Sequence, residues 1–270
     1  MRATSATYAL MLSSAVAMAQ APQVTRPPPR TAARSKAPSR YSTYVRAWHS
    51  PDADRAAPVD DTGRPELVLF SLNTNDRVTL HATSDRGGFM ASELDGASAV
   101  LREPSSGNQS PVEPRLLDLV YRIQTHFQAQ EIRVISGYRT PRLAHGRGSN
   151  HGRGRAIDLV VPGASDTDVA SFARALGFVG VGVYPQSGFV HIDVRDRSYF
   201  WVDQSAPGKR NRERGILGDL ARTNDRDAAS RGERPVGPEG TGFDVDAALR
   251  ARTPPVAQVP EEEDEDSSGS

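Results

Sequence analysis

Three ionisable side chains, far apart along the chain, have the types and local settings of metal ligands. His151 lies on a glycine-rich turn, and Asp158 lies on the polar side of the strand predicted after that turn. His191 and Asp193 occupy one face of a later strand whose alternate residues are apolar, because side chains alternate along a strand. Ionisable groups on a core strand are costly unless they are paired or bound to a metal. The pattern therefore favours a shared cation site.

Two histidines and a carboxylate around zinc, with a fourth position left for water, form a common catalytic arrangement. Zinc held in this way lowers the pKa of water and polarises a carbonyl, while a nearby carboxylate acts as general base. Arg139 ends the preceding predicted strand and is placed to bind a developing oxyanion. The spacing alone leaves an ordinary loop histidine beside a turn aspartate as an open alternative. The ligand types favour zinc without excluding other divalent ions.

The composition excludes several classes of function. The chain has 270 residues, with 33 Lys plus Arg against 33 Asp plus Glu, and this balance gives no basis for a nucleic-acid-binding face. It contains no cysteine, so disulfides, thiol catalysis and cysteine-ligated zinc are excluded. With 23 glycines and 20 prolines, the sequence predicts one compact domain with long flexible flanks.

Four segments are predicted from the changes in composition. A positive start and a short apolar run ending in Ala-Met-Ala predict a signal peptide over residues 1–19, and the run is too short to serve as a stable membrane anchor. We therefore expect export from the cytoplasm. A disordered linker rich in proline and arginine is predicted over 20–64, the folded domain over 65–204, and a disordered polar and acidic tail over 205–270.

The folded segment is predicted to be an α+β domain, with a central antiparallel sheet and helices mainly on one side. Apolar positions at steps of three and four residues predict one helix from Pro114 to about Gln130. Ser165 and Asp168 predict the start of a second helix, which Gly177 ends. Strands are predicted at 66–72, 77–81, 132–135, 156–161, 181–184 and 189–194.

Three sequence blocks, in this order, resemble one superfamily of zinc peptidases. The superfamily contains the D-Ala-D-Ala metallopeptidases, the lysostaphin-type enzymes and the hedgehog signalling domain. The greatest similarity is to the bacterial murein endopeptidase K group, and it is dense over about residues 113–203. The blocks are Ser136-Gly137-Tyr138-Arg139-Thr140-Pro141, Ser149-x-His151-x-x-Gly154-x-Ala156-x-Asp158, and Gly180-Val181-Gly182-Val183-Tyr184-Pro185 with Phe189-Val190-His191-Ile192-Asp193-Val194.

The resemblance implies a role for several residues. His151, Asp158 and His191 become the ligands of one Zn²⁺ per chain. Arg139 becomes the group that stabilises the tetrahedral intermediate, and Ser149 the serine that positions the amino end of the substrate. We also expect Tyr138 to contact the substrate. The implied reaction is hydrolysis of a peptide stem or cross-link of peptidoglycan, by an endopeptidase or a carboxypeptidase.

One departure from the family pattern concerns the general base. The dipeptidase branch carries a glutamate three residues before its last histidine ligand, and Gly188 occupies that position here. Asp193 is the best replacement by strand geometry, since it shares a face with His191. An equal alternative makes Asp193 a partner that holds a ligand or Arg195 in place.

Two further questions stay open at this point. The loop from Pro141 to Ser149 is shorter than in the endopeptidase K group and contains His145, which is either a spare acid–base group or an exposed loop histidine. The missing glutamate also motivates a second hypothesis, a zinc-stabilised module that binds the cell wall without cutting it. The sequence does not indicate an oligomeric state.

Overall fold

The fold was analysed in a computed structural model. The expected signal peptide, the loop residue His145 and the acidic end of the tail lie outside the described residues. The structure describes residues 39–140, 143, 149–209, 212–216 and 218–237.

The described chain forms one mixed sheet of eight strands. The strands are β1 Glu66–Ser71, β2 Arg77–His81, β3 Ile132–Ser136, β4 Ala156–Val160, β5 Val179–Tyr184, β6 Phe189–Val194, β7 Tyr199–Asp203 and β8 Glu213–Ile216. Their spatial order is β2-β1-β3-β4-β6-β5-β7-β8, and the pairs are antiparallel except for β1 with β3 and β5 with β7. The parallel pairing of β1 with β3 needs a long connection, which β2 and two helices provide.

Four of the helices contribute to one apolar core on a single face of this sheet, which confirms the α+β class. The remaining helix, α1, contacts the polar side of β3. Within the described residues, no helix combines the length and apolar character that crossing a membrane requires. The helices are α1 Ser39–His49, α2 Ala91–Val100, α3 Pro114–His126, α4 Asp166–Ala175 and α5 Gly218–Ser230, and a short 3-10 helix covers Asn150–Arg153.

The central pair of strands separates the core from the polar residues as predicted. Ile157 and Leu159 of β4 are fully buried in the core, so Asp158 between them points to the other face. The same alternation in β6 places His191 and Asp193 on that face. Asp158 lies directly opposite His191 in the antiparallel register. Two groups predicted from distant parts of the sequence thus become neighbours across the sheet.

The local signals for the predicted helices are also present in the structure. Pro114 occupies the first turn of α3, where its missing N–H costs nothing. Ser165 caps α4, since its hydroxyl oxygen accepts a hydrogen bond from the Asp168 amide at 3.1 Å. Gly177 follows α4 with a φ of +73°, the left-handed conformation that ends many helices.

Both expected flanks contain ordered elements, which differs from the predicted linker and tail. α1 lies inside the segment 20–64, and β8 and α5 lie inside the segment 205–270. These elements lack a strong apolar stripe: α5 buries only Ala221 and Ala228 among its described residues. Polar contacts such as that of His49 with Asp166 help to hold them, and such contacts leave no apolar periodicity in the sequence.

One such contact attaches the C-terminal segment to α3. The buried carboxylate of Glu233 accepts hydrogen bonds from Arg115 at 2.7 Å and Arg122 at 2.8 Å, and also pairs with Arg86. Burial alone would raise the pKa of Glu233, but the hydrogen bonds and charges of Arg115 and Arg122 outweigh it and hold the pKa at about 2. The segment after α5 is therefore a part of the folded unit.

Replacing Glu233 by glutamine should weaken this attachment. A lowered pKa means that Glu233 stabilises the fold above the pKa of an unfolded glutamate, about 4.3, and that this contribution disappears as the pH falls towards about 2. Since the arginines are partly exposed, we expect Glu233→Gln to lower the free energy of unfolding by about 1–3 kcal/mol at neutral pH. Urea unfolding across the acidic range measures both effects. Asp219→Asn, on the exposed side of α5, is the control. Equal midpoints for Glu233→Gln and wild type at neutral pH would contradict the prediction.

Candidate metal centre

The three predicted ligands meet at one point on the polar face of the sheet. Nε2 of His151 lies 3.2 Å from Nδ1 of His191 and 3.4 Å from Oδ1 of Asp158. Nδ1 of His191 lies 2.9 Å from the same Oδ1. All three side chains are buried, and their ligand atoms lie within 4.8 Å of one another. One cation could therefore contact all three residues.

His151 reaches this point because of a tight turn before β4. It lies in the 3-10 helix, and Gly154 then reverses the chain with a φ of +66°. A Cβ at Gly154 would lie 2.1 Å from the carbonyl oxygen of Pro111, so no other residue fits without a shift of the backbone. The glycine-rich turn brings the imidazole back over β4, where Asp158 lies.

The hydrogen bonds of each imidazole determine which nitrogen faces the shared point. Nδ1 of His151 lies 2.6 Å from the carbonyl oxygen of Gly137, which can only accept, so Nδ1 carries the proton and Nε2 presents a lone pair. Nε2 of His191 lies 2.8 Å from Oδ2 of Asp193, so Nε2 donates there and Nδ1 is the nitrogen that faces the shared point. A metal ion at that point would replace the proton of Nδ1 and use its lone pair. Two lone pairs and a carboxylate oxygen converge, which is the donor set that a divalent cation requires.

The electrostatics of the site agree with this arrangement. Burial lowers the pKa of His151, which favours the neutral form that binds metal. Burial opposes ionisation of Asp158, but His151, His191 and Arg139 outweigh it and hold its pKa well below the usual range. His191 is also disfavoured as a cation by burial, yet Asp158 and Asp193 raise its pKa to about 9. The ionised carboxylates of Asp158 and Asp193 thus lie beside the imidazole nitrogens, and their negative charge stabilises a cation bound there.

Asp193 is a hydrogen-bond partner of His191. Its side chain is almost fully buried, and Oδ2 accepts from Nε2 of His191, on the side of the ring away from the shared point. Arg195 donates to Oδ1 at 2.5 Å and to Oδ2 at 2.8 Å. This geometry favours the alternative in which Asp193 orients a ligand over the one in which it replaces the missing glutamate.

Arg139 lies beside the metal ligands. It forms an ion pair with Asp158, and its Nε donates to the hydroxyl of Ser136 at 2.7 Å. Its side chain is 30% exposed and lines the cavity above the site. Its guanidinium is therefore available to a group bound next to the cation.

The two residues expected to bind substrate are separated by the structure. Ser149 lines the same cavity as the three ligands. Tyr138 does not: it lines a different groove together with Leu143, and its amide donates to the carbonyl of Leu101 at 2.7 Å. Tyr138 follows Ser136 by two residues but lies beyond the end of β3, where strand alternation no longer fixes its direction. The expected contact of Tyr138 with the substrate stays a prediction, and the groove that Tyr138 lines shares Arg139 with the cavity of the metal ligands.

The cavity has a volume of about 800 Å³ and an aromatic wall that the sequence did not reveal. The ring of Trp201 lies 5.1 Å from that of His191, and its Nε1 donates to the hydroxyl of Tyr184 at 3.1 Å. A Cβ at Gly182 would lie 2.3 Å from the Trp201 ring, so this glycine makes room for the wall. Glycine inside a buried strand signals such a close approach. The remaining cavity residues that the sequence did not single out include Tyr41, Ser187, Tyr199, Ser205, Lys209 and Glu213.

Comparisons with known proteins identify the family. Residues 61–199 match the family described as peptidoglycan L,D-endopeptidase MepK. The chain belongs to this family. It is 32% identical over 144 residues to a Haemophilus influenzae protein named probable peptidoglycan L,D-endopeptidase MepK, a match that covers 49% of this chain and 77% of that protein. It is 31% identical over 143 residues to the Escherichia coli K12 peptidoglycan L,D-endopeptidase MepK, covering 49% and 78% respectively. No solved structure matches.

Membership of this family confirms the class of activity expected from the motifs, a metallopeptidase that cleaves peptidoglycan. The matched range contains the three ligands and Arg139. It excludes α1, β8 and α5, so these elements surround a shared core. The family together with the converging His-Asp-His group supports a metal ion at the site.

Replacing Asp193 by asparagine should weaken metal binding without removing a ligand. The amide oxygen can still accept a hydrogen bond from His191, but the substitution removes the negative charge that makes the imidazole a stronger metal ligand. The NH₂ group of the asparagine would also face an N–H donor of either His191 or Arg195. We expect the affinity for Zn²⁺ to fall about 10- to 100-fold, measured by competition with a chromophoric chelator. Asp196→Asn, three residues later at an exposed position, should bind like wild type. Equal affinities for Asp193→Asn and wild type would show that Asp193 does not support the ligand.

Proposed function

We propose that this protein is a zinc-dependent endopeptidase that hydrolyses L,D-peptide cross-links of peptidoglycan. The observation that carries the proposal is the convergence of Nε2 of His151, Oδ1 of Asp158 and Nδ1 of His191 at the base of a cavity. The names of the related enzymes, peptidoglycan L,D-endopeptidases, supply the bond type. That activity also favours an endopeptidase over the carboxypeptidase and over the non-catalytic module considered above.

The donor set supports zinc as the cation. Two imidazole nitrogens and one carboxylate oxygen are the ligands of many catalytic zinc sites, which keep one position for water or substrate. When bound, the ion would supply Lewis-acid chemistry, activating water and polarising the scissile carbonyl. The protein orients the two imidazoles, because Gly137 and Asp193 accept hydrogen bonds from their outer nitrogens. Burial of the site also strengthens the interactions between charges inside it.

Arg139 is proposed to stabilise negative charge on the substrate carbonyl. A guanidinium has five N–H donors in a rigid fork, and only part of this capacity is used by Ser136 and Asp158. Because the ion pair with Asp158 holds the guanidinium beside the metal site, its positive charge is already in position when the reaction begins. Ser149, at the edge of the same cavity, is proposed to position the amino side of the substrate.

The proposed substrate sets the place of action. Peptidoglycan lies outside the bacterial cytoplasm, so we propose that residues 1–19 direct export and that the mature protein acts in the periplasm or beyond. Peptidoglycan peptides are the proposed partners.

The proposal predicts cleavage of isolated sacculi by the zinc-loaded protein. Mass spectrometry of the released muropeptides would identify the bond from the products. We expect His151→Ala to lose both stoichiometric zinc and cleavage, because the substitution removes one of three ligands. His81→Ala, an exposed histidine away from the cavity, should retain both. Undiminished cleavage by His151→Ala would rule out the mechanism.

A second variant separates charge stabilisation from metal binding. Arg139→Lys keeps the positive charge but loses the planar fork, so we expect zinc to be retained and kcat to fall about 100-fold or more. Binding of sacculi by wild type without any cleavage would favour the non-catalytic module instead.

A further inference from the structure

The helix α1 places a residue from outside the matched family range in the catalytic cavity. α1 covers Ser39–His49, whereas the family match begins at residue 61. Tyr41 of α1 lines the same cavity as His151 and His191. An element outside the matched range therefore contributes to the lining of the site.

The C-terminal end of α1 is fixed to the domain by charged groups. Nε2 of His49 lies 3.0 Å from Oδ1 of Asp166, at the start of α4. The guanidinium of Arg133, on the polar face of β3, lies against the end of the helix, where a cation is favourable because the carbonyl groups there carry partial negative charge. Its Nη1 donates to the carbonyl oxygens of Ala47, Trp48 and Ser50 at 2.9, 2.8 and 2.9 Å.

The middle of α1 packs on the turn between β5 and β6. Gly188 in this turn has a φ of +67°, and a Cβ there would lie 2.3 Å from Cγ1 of Val45. Val45 thus fills the space that a side chain at position 188 would need. This is the position at which the dipeptidase branch resembled by this chain carries its glutamate. With α1 docked in this way, a glutamate at position 188 would clash with Val45.

The hydroxyl of Tyr41 is held in a defined state. It donates to the carbonyl oxygen of Ser187 at 2.9 Å, and a carbonyl can only accept. The edge of the Tyr41 ring packs against Trp48, with centroids 5.8 Å apart. Since its proton is already used, the hydroxyl oxygen can act only as an acceptor towards the cavity. The group that it suits on a ligand is an N–H donor.

We propose that Tyr41 is a substrate-positioning residue, whose hydroxyl oxygen accepts a hydrogen bond from a peptide N–H or an ammonium group of the peptidoglycan peptide. This inference rests on the proposed function and extends it. α1 narrows the cleft on the side of Ser187, and Tyr41 sets the register in which the peptide lies across the metal ligands. A related domain without such a helix would cleave the same peptide bond but would not make this hydrogen bond to the substrate.

The test compares kcat and KM of the full-length, zinc-loaded protein on a purified cross-linked muropeptide dimer. Tyr41→Phe keeps the ring and removes the acceptor, so we expect KM to rise about 3- to 10-fold with little change in kcat. Tyr41→Ala also removes the wall and should raise KM more than about 10-fold. Tyr44 lies on the same helix, is 54% exposed and does not line the cavity, so Tyr44→Phe and Tyr44→Ala should behave like wild type.

Two measurements check that the Tyr41→Phe protein is intact. Zinc stoichiometry should be unchanged, and the thermal midpoint should fall by only a few degrees, as loss of the hydrogen bond to Ser187 implies. A wild-type KM for both Tyr41 variants would overturn the proposal. A wild-type KM for Tyr41→Phe alone would contradict the proposed hydrogen bond from the substrate to the Tyr41 hydroxyl. Absence of turnover by wild type would instead contradict the proposed function. Calorimetric affinities of the same variants for the same muropeptide would then decide the role of Tyr41.

Discussion

The antiparallel register between β4 and β6 is the constraint on which the site depends. It places Asp158 opposite His191, and the alternation of each strand leaves Ile157 and Ile192 to form the core behind them. A slip of either strand by one residue would turn its ligand into the core and its apolar side chains to the opposite face, at a large cost in free energy. The same apolar burial that stabilises the domain therefore holds two of the three metal ligands in register.

Burial of these ligands explains much of the polar structure around them. A carboxylate and two imidazoles removed from water need partners for every donor and acceptor. Gly137 and Asp193 each engage the outer nitrogen of one imidazole, and Arg195 balances the charge of Asp193. The inner atoms are left facing one another across about 3 Å. A cation at that point would bind all three inner atoms at once, and we therefore interpret the arrangement as a metal centre.

The sequence predicted what strand alternation, helix caps and glycine turns determine locally. Asp158, His191 and the cap at Ser165 follow from such patterns, and so does the core face of β6. The same reasoning left Asp193 with two roles, since alternation gives the face of a residue and not which ring nitrogen it meets. It did not fix the direction of the Tyr138 side chain, because this residue lies past the end of its strand. α1 and α5 were missed because long-range contacts such as His49 with Asp166 leave no local signal.

The location of the bound ion tests the central claim most directly. Crystals of the zinc-loaded protein, measured at the zinc absorption edge, should give one strong anomalous peak per chain. We predict that the peak lies about 2.0–2.2 Å from Nε2 of His151, Oδ1 of Asp158 and Nδ1 of His191. A peak elsewhere in the domain, or none at this point in zinc-saturated protein, would contradict the account.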